Sequence, residues 1–476
     1  MNNPLQLSTE EMRALGHQVV DMLIDHFEHL PDKPVTRKAS RPALEEKLRE
    51  PLPEQGNRAG DVLQQLQQHV FSNIMHVDHP RFFAFVPSPG NFVSAMADAL
   101  ASGFNVFAGT WMEASGPTEI ELVTIDWLRQ LCGLPDVAGG LFVSGGSVAN
   151  LTALATARHV KLRDNIQHAI VYCSDQTHSS IERGLHILGF ASTQIRRLPS
   201  DEGFRLIVSD VQRAIASDRA AGHVPFCIIA NAGTTNTGAV DPLRALADLC
   251  RTEGLWLHAD GAYGIASILS DKGRSLLSGL EHVDSLSLDP HKWLFQPYEI
   301  GCVLVRDSRW LRETFHILPE YLKDIASSEE EVNFCDYGIQ LTRGFRALKL
   351  WMSLKIFGLE AFRAAVAYGI ALAEQAEAIL RQAPCWEVVT PVQMGIITFR
   401  YILAGKSSTH VDIINQQLVE AMIADGFAMV SSTTLRGHTV LRLCTINPRT
   451  SESDLRETLQ RLEDYGNKLS SSYDRL

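Results

Sequence analysis

In SLDPHKWLF, residues 287–295, a lysine follows an acid, a proline and a histidine and precedes three bulky apolar residues. An amine held at a strand end in apolar surroundings has a lowered pKa and attacks carbonyl carbons, so Lys292 is a candidate nucleophile. A lysine can equally lie along the surface with its head in water. Four other stretches share this placement after an apolar run. FVSGGSVANLTAL (142–154) passes through Ser144, Gly145, Gly146 and Ser147 straight into a helical pattern. Glycines let the backbone approach an anion, and a helix start offers free N–H groups and a positive dipole end. The stretch is neither G-x-G-x-x-G nor a P-loop, since no lysine follows the glycines. The competing reading is a plain turn with Ser147 as helix cap. His178 in CSDQTHSS (173–180) can cap the next helix or stack on a flat ligand. ANAGTTNTGAVDP (230–242) has turn chemistry, and Thr234 and Thr235 can also donate to a ligand. In LWLHADGAYG (255–264) Asp260 ends an apolar strand and, once buried, needs a cation or a donor. Ala262 and Gly264 leave room beside it for something flat.

An anion cradle, a ring stacker, a buried acid and a buried amine follow one another in the chain, each at a strand end. Together they suit an aromatic aldehyde with a ring nitrogen and a phosphate, which is pyridoxal 5′-phosphate (PLP). The phosphate would lie at Gly145–Ser147, the ring under His178, the ring N–H on Asp260, and the aldehyde on Lys292 as a Schiff base.

The elements that must position these residues are legible as patterns. Seven short apolar runs between 139 and 306 alternate with helical stretches at 148–163, 179–189, 207–220 and 242–253. Continuous apolar strands alternating with helices predict an α/β fold with a mostly parallel sheet covered on both faces. Residues 8–30 are a helix opened by the capping box of Ser8 and Glu11, with a short helix from 41 and a third at 59–75. This N-terminal segment has no strands, and its few helices must pack on another lobe or subunit. A long helical stretch at 337–382 precedes four strands of a small, mostly antiparallel sheet and a closing helix. Three units are expected: 1–91, helical; 92–355, large; 356–476, small and α+β.

The 476 residues carry a formal net charge of −12 without a basic tract, which argues against a nucleic-acid partner. The eight cysteines show no C-x-x-C pair or zinc spacing, so reduced, mostly buried thiols and no metal are expected. No apolar run approaches the ~18 residues of a spanning helix, and the start lacks a signal-peptide pattern. A soluble, cytoplasmic protein is expected.

HPRFFAFVPSPGN, PTEIEL, SGGSVANL, SDQTHSSIERG, AGTTNTGAVDPL, WLHADGAYG, DPHKW, YLKD, GFRALKLW and RLCTINPRT carry a further signal. Across nearly its whole length the chain resembles the PLP-dependent group II decarboxylases, aromatic-L-amino-acid decarboxylases in particular. The resemblance implies fold type I of the PLP-dependent transferases, aspartate aminotransferase-like, and a homodimer whose N-terminal helices wrap the partner subunit. It implies that Lys292 bonds the cofactor with His291 nearby, that Asp260 pairs with the ring nitrogen and that Ala262 lies under the ring. His178 would stack and serve in proton transfer, Gly146 and Ser147 would hold the phosphate, and Thr234 would approach the cofactor. Tyr321 would protonate the carbanion left by CO2. Phe85, Pro87, Phe107 and Trp111 would form the substrate pocket. Thr342, where Gly or Ser is usual, would crowd a bicyclic ring and favour Phe- or Tyr-type substrates.

Asp289 stands where the family often has Asn. A carboxylate beside a phosphate is unfavourable, so Asp289 is expected to point elsewhere. The expected activity is decarboxylation of an L-amino acid, of aromatic type, to the amine and CO2. Non-aromatic acids such as diaminobutyrate, aspartate or glutamate remain open. So do an aminotransferase, an aldehyde synthase and a phosphate-ligand binder without catalysis.

Overall fold

The computed structural model describes residues 5–317, 331–403 and 405–473. Eleven strands form two sheets. The large sheet holds β1 (Gly139–Val143), β2 (Ala169–Ser174), β3 (Ile195–Leu198), β4 (Val224–Asn231), β5 (Trp256–Asp260), β6 (Ser285–Leu288) and β7 (Gly301–Val305). Their order is β1-β7-β6-β5-β4-β2-β3. β3, β2, β4, β5 and β6 run parallel, and β7 is antiparallel to both β6 and β1. All seven apolar runs of the sequence are strands, and β2, β5, β6 and β7 are buried at every position. That is the state near-continuous Val, Ile and Leu runs predict for a sheet with helices on both faces.

The pairing sets the site. Asn231 lies opposite Asp260, Asp260 opposite Ser287, and Val143 opposite Gly301. The carboxyl ends of β1, β2, β4, β5 and β6 therefore share one edge, where open α/β sheets bind ligands.

A buried ion pair braces that edge. Arg343 Nη2 donates to Glu121 Oε1 at 2.6 Å, the two side chains being 1% and 0% exposed. The same guanidinium donates to the Phe142 and Ala108 carbonyls, and Glu121 Oε1 accepts from Phe142 N. β1 is thus fixed to helix Trp111–Leu131 just before its glycine turn. Arg343→Met, which leaves the Glu121 carboxylate buried without its cation, is expected to lower unfolding free energy by about 3–5 kcal/mol. Urea unfolding measures this, and a loss under ~1 kcal/mol would show the pair to be dispensable.

The second sheet, antiparallel throughout, holds β8 (Trp386–Thr390), β9 (Ile396–Tyr401), β10 (Ser431–Leu435) and β11 (His438–Cys444) in the order β10-β11-β9-β8. Helices Ser408–Asp425 and Glu452–Tyr473 accompany it.

Several expectations need correction. Helix Ala347–Gln382 begins later than 337 and is broken at Gly358, whose φ of 76° suits glycine. Its length and composition would let it cross a membrane, contrary to the expectation that no such run exists. Here it packs on helices Phe92–Gly103 and Trp111–Leu131, with Leu350, Val366, Ile370 and Leu380 in the core. The helix expected at 59–75 is α-helical only over Ala59–Gln65, followed by a π turn and a 3-10 turn. The N-terminal segment is not wholly without β pairing, because isolated bridges join Thr36 to Met75 and Phe82 to Met429.

The Ser8–Glu11 capping box is present on helix Thr9–Glu28, a helix that buries none of its residues. His26 of this helix meets His76 and Asp78, about fifty positions further on, with the ligand-type atoms of the three within 4.8 Å. Lys33 Nζ lies 3.3 Å from His26 Nδ1, and His26 Nε2 lies 3.4 Å from Asp78, so both imidazole nitrogens are engaged. All eight cysteines are free thiols, six of them buried.

Candidate active site

A cavity of about 310 Å³ opens at the shared strand edge. Its wall takes Gly145, Gly146 and Ser147 after β1, His178 after β2 and Thr234 after β4. Asp260 at the end of β5, Ala262 just after it, and His291 and Lys292 after β6 complete the set. Every residue expected to hold a cofactor is in this wall.

The glycine turn is built for a group with negative charge. Helix Gly146–Leu162 starts from Gly145 without any side-chain cap, so the competing reading of Ser147 as cap does not hold. Its first residues, Gly146 and Ser147, line the cavity, and a helix start carries free N–H groups and the positive end of the dipole. A side chain at Gly146 would place its Cβ 2.9 Å from Asp289 Oδ2 and 3.0 Å from Ala262 Cβ. One at Gly301 would strike Gly145 Cα at 2.4 Å. Both positions need glycine for close approach.

Asp260 is 7% exposed. Its Oδ1 accepts from Ser287 Oγ at 3.1 Å and Ala262 N at 3.3 Å, and its Oδ2 from Asn150 Nδ2 at 3.2 Å. Asn150 also donates to Ser180 Oγ at 3.0 Å, and Ser180 Oγ lies 2.8 Å from His178 Nδ1. His178 caps helix Ser179–Ile187 by accepting from Ser180 N, so capping and a place in the cavity wall coexist. His258, on the same face of β5 as Asp260, reaches Asn150 Oδ1 at 3.0 Å and Ser285 Oγ at 2.9 Å. Burial lowers its pKa to about 4 against the pull of Asp260, so it is a neutral imidazole at physiological pH.

Asn150, Ser180 and His258 were not singled out in the sequence. Only His258 left a signal there, two residues before Asp260 and so on its side of the strand.

Lys292 sits on a tight turn. Its N donates to Asp289 O, and Asp289 N donates to Ala262 O. Trp293 anchors the turn by stacking on Tyr263, with ring centroids 5.3 Å apart. Ser88 Oγ donates to the His291 carbonyl at 2.6 Å, and His291 Nδ1 lies 2.6 Å from Ile300 O. The expected lowering of the lysine pKa is not found. Burial does push the ammonium down, but the charge and hydrogen bond of Asp289, with Asp260 and Tyr298, outweigh it, and the net shift is upward. Asp289 also departs from expectation. It points into the cavity, with Oδ2 2.9 Å from Lys292 Nζ.

The residues expected to hold the substrate side chain do not join this wall. Phe85 is 57% exposed, with a φ of 48° and its carbonyl bound by Arg442. Pro87 is buried. Phe107 and Trp111 are half-buried and Thr342 is exposed. Ala108 N donates to Arg343 O, which sets the Phe107 and Thr342 segments side by side. Tyr321 lies outside the described residues.

A mostly parallel seven-stranded sheet with a small antiparallel domain, and an amine, a carboxylate and an uncapped glycine turn around one cavity, define a fold type I PLP enzyme. The residues fit that cofactor in their chemistry: a glycine turn with no room for a side chain at Gly146, a buried carboxyl group and an amine line one cavity.

Residues 42–402 match the pyridoxal-dependent decarboxylase conserved domain. An aromatic-L-amino-acid decarboxylase of Bacillus atrophaeus is 53% identical over 475 residues, 99% of each chain. A phenylacetaldehyde synthase of Arabidopsis thaliana is 30% identical over 96% of each. The crystal structure of Oryza sativa TDC with PLP and tryptamine superposes with a TM-score of 0.94 at 30% identity, over 98% of this chain and 100% of that one. The chain belongs to the pyridoxal-dependent decarboxylase family and is a PLP-dependent amino-acid decarboxylase.

Proposed function

We propose that the chain converts an aromatic L-amino acid to its amine and CO2. The observation that carries this is its full-length likeness to the bacterial aromatic-L-amino-acid decarboxylase. In this reading Lys292 would be the residue that bonds the cofactor, with His291 beside it in the cavity wall. Asp260 would pair with the ring nitrogen, His178 would stack on the ring, and the small Ala262 would leave space for it. Gly145, Gly146 and Ser147 would hold the phosphate, and Thr234 would approach the cofactor. The bound cofactor supplies a ring that draws electrons from the bond to the departing carboxylate. Tyr321 or His178 would return a proton to the substrate carbon after CO2 leaves.

Phe85, Pro87, Phe107, Trp111 and Thr342 form the substrate side-chain pocket once a second copy of the chain is present. Support comes from large apolar side chains left in solvent, Phe104 79% exposed, Met112 75% and Phe85 57%. Helix Thr9–Glu28, with no buried residue and with Met12, Val19 and Ile24 exposed, would lie on that partner. The working unit is then a homodimer of chains divided at 1–91, 92–355 and 356–476, and its place is the cytoplasm.

One panel tests the reading: CO2 release from Phe, Tyr, Trp, Dopa, 5-hydroxytryptophan, diaminobutyrate, aspartate and glutamate, with products identified. An aromatic acid should give the highest kcat/KM, and the product should be the amine. Preference for an acidic or diamino substrate would overturn the substrate class. A keto acid as main product would mark an aminotransferase, and an aldehyde with ammonia an oxidative synthase.

A further inference from the structure

Asp289 is 3% exposed and faces the anion cradle. Its Oδ2 is engaged by Lys292 Nζ at 2.9 Å, with His291 Nε2 at 3.6 Å. Its Oδ1 is buried and has no hydrogen-bond partner among the described residues. Both oxygens border the glycines: a Cβ at Gly146 would meet Oδ2 at 2.9 Å, and one at Gly301 would meet Oδ1 at 2.8 Å. The other titratable groups around it are Asp260 across the cavity, Tyr298 on the following loop and Cys302 on β7. The Gly145–Ser147 turn adds none. A buried carboxylate with one oxygen free, placed where a phosphate dianion binds, is a conflict that one proton removes. Two like charges sharing a site do not both stay ionised.

We propose that Asp289 is a proton-coupled phosphate ligand: in the empty site it is the counter-ion of Lys292, and it takes up one proton from solvent when a phosphate enters the cradle. The protonated Oδ1 then donates an O–H···O hydrogen bond to the phosphate. The Lys292 amine loses its anionic partner at the moment it is needed as a nucleophile. This inference rests on the cofactor placement proposed above.

The sign follows from linkage. A carboxyl whose pKa is raised by the bound phosphate strengthens binding at low pH, and the gain is lost as pH rises through the raised value. Phosphate affinity should thus fall by up to about tenfold per pH unit across that window. Above pH ~7 a phosphate monoester is already a dianion and adds no slope of its own.

The test is calorimetric titration of the full-length chain, purified without cofactor, with pyridoxamine 5′-phosphate, which has the phosphate and ring but no aldehyde. Titrations at pH 7.5 in two buffers of different ionisation enthalpy count the protons taken up. The wild type should take up about one proton more than Asp289→Asn or Asp289→Ser. The variants should bind at least about tenfold more tightly at pH 8. Pyridoxamine, without the phosphate, should show no such difference. Two substitutions of different size and a thermal melt of each guard against loss of fold. Equal proton counts in wild type and variants overturn the inference, and so does weaker phosphate binding in both variants at every pH. If wild type and variants alike fail to bind either compound, the cofactor placement fails instead.

Discussion

Lys292→Ala is expected to reduce CO2 release by about 10⁴-fold or more, because no other described amine reaches the cavity to take over the covalent step. Borohydride treatment with PLP should fix the cofactor to the wild-type chain at Lys292 and to no site in the variant, as mass spectrometry of the digest will show. The variant also leaves Asp289 buried without its cation, so lost activity could reflect a disturbed turn. Lys292→Arg separates the two effects. It keeps a positive charge beside Asp289 but cannot bond an aldehyde. It should melt close to the wild type and still release no CO2. Retained decarboxylation in either variant would remove Lys292 from the reaction. The upward shift of the lysine pKa, set by Asp289 against burial, adds a direction. Bond formation to an aldehyde needs the free amine, so with pyridoxal, which has no phosphate to discharge Asp289, its rate in the wild type should climb as pH rises towards that raised value.

Much of this site could be read from the chain because one rule places it. Parallel strands put their carboxyl ends on one edge, so five strand-end motifs scattered over 150 residues of sequence must converge. The apolar runs identified the strands, and each unusual residue was the one that follows a run. What the sequence could not reveal depends on distance in three dimensions. Asn150 looks like any polar residue near a helix start, and only the fold brings it to Asp260, 110 positions away. Asp289 and Lys292 are three apart, yet whether the acid turned toward the amine depended on the backbone at Pro290 and on Gly301 behind it. Reading burial alone gave the wrong sign for the lysine, since the neighbouring carboxylate outweighs desolvation. The substrate-pocket residues show the same limit at another scale. Phe85 and Phe107 are apolar side chains with nothing local to say what covers them, and a single chain leaves them away from the cavity wall.

Asp260→Asn should lower kcat by about 10²–10³-fold while leaving the chain folded and Lys292 still able to be trapped by borohydride. The side chain keeps its size and one oxygen, so Ser287 Oγ and the Ala262 N–H retain an acceptor. What it loses is charge. In the wild type Asp260 is surrounded by neutral donors, namely Ser287, Ala262 N and Asn150, and His258, on the same face of β5, is kept neutral by burial. The carboxyl group thus has no cation bonded to it among the described residues. That arrangement is costly unless a ligand brings one, which a protonated ring nitrogen does. An amide in its place cannot hold that proton, so the ring would lose most of its pull on electrons while binding is only weakened. Asn150→Ala offers the graded comparison. It removes one donor to Asp260 and the link to Ser180 and His178, and a loss of about tenfold is expected, through positioning and not charge. Steady-state kinetics should therefore show the fall for Asp260→Asn mainly in kcat. If kcat were unchanged and only KM rose, Asp260 would be a binding group, and the charge that drives decarboxylation would have to come from elsewhere in the cavity.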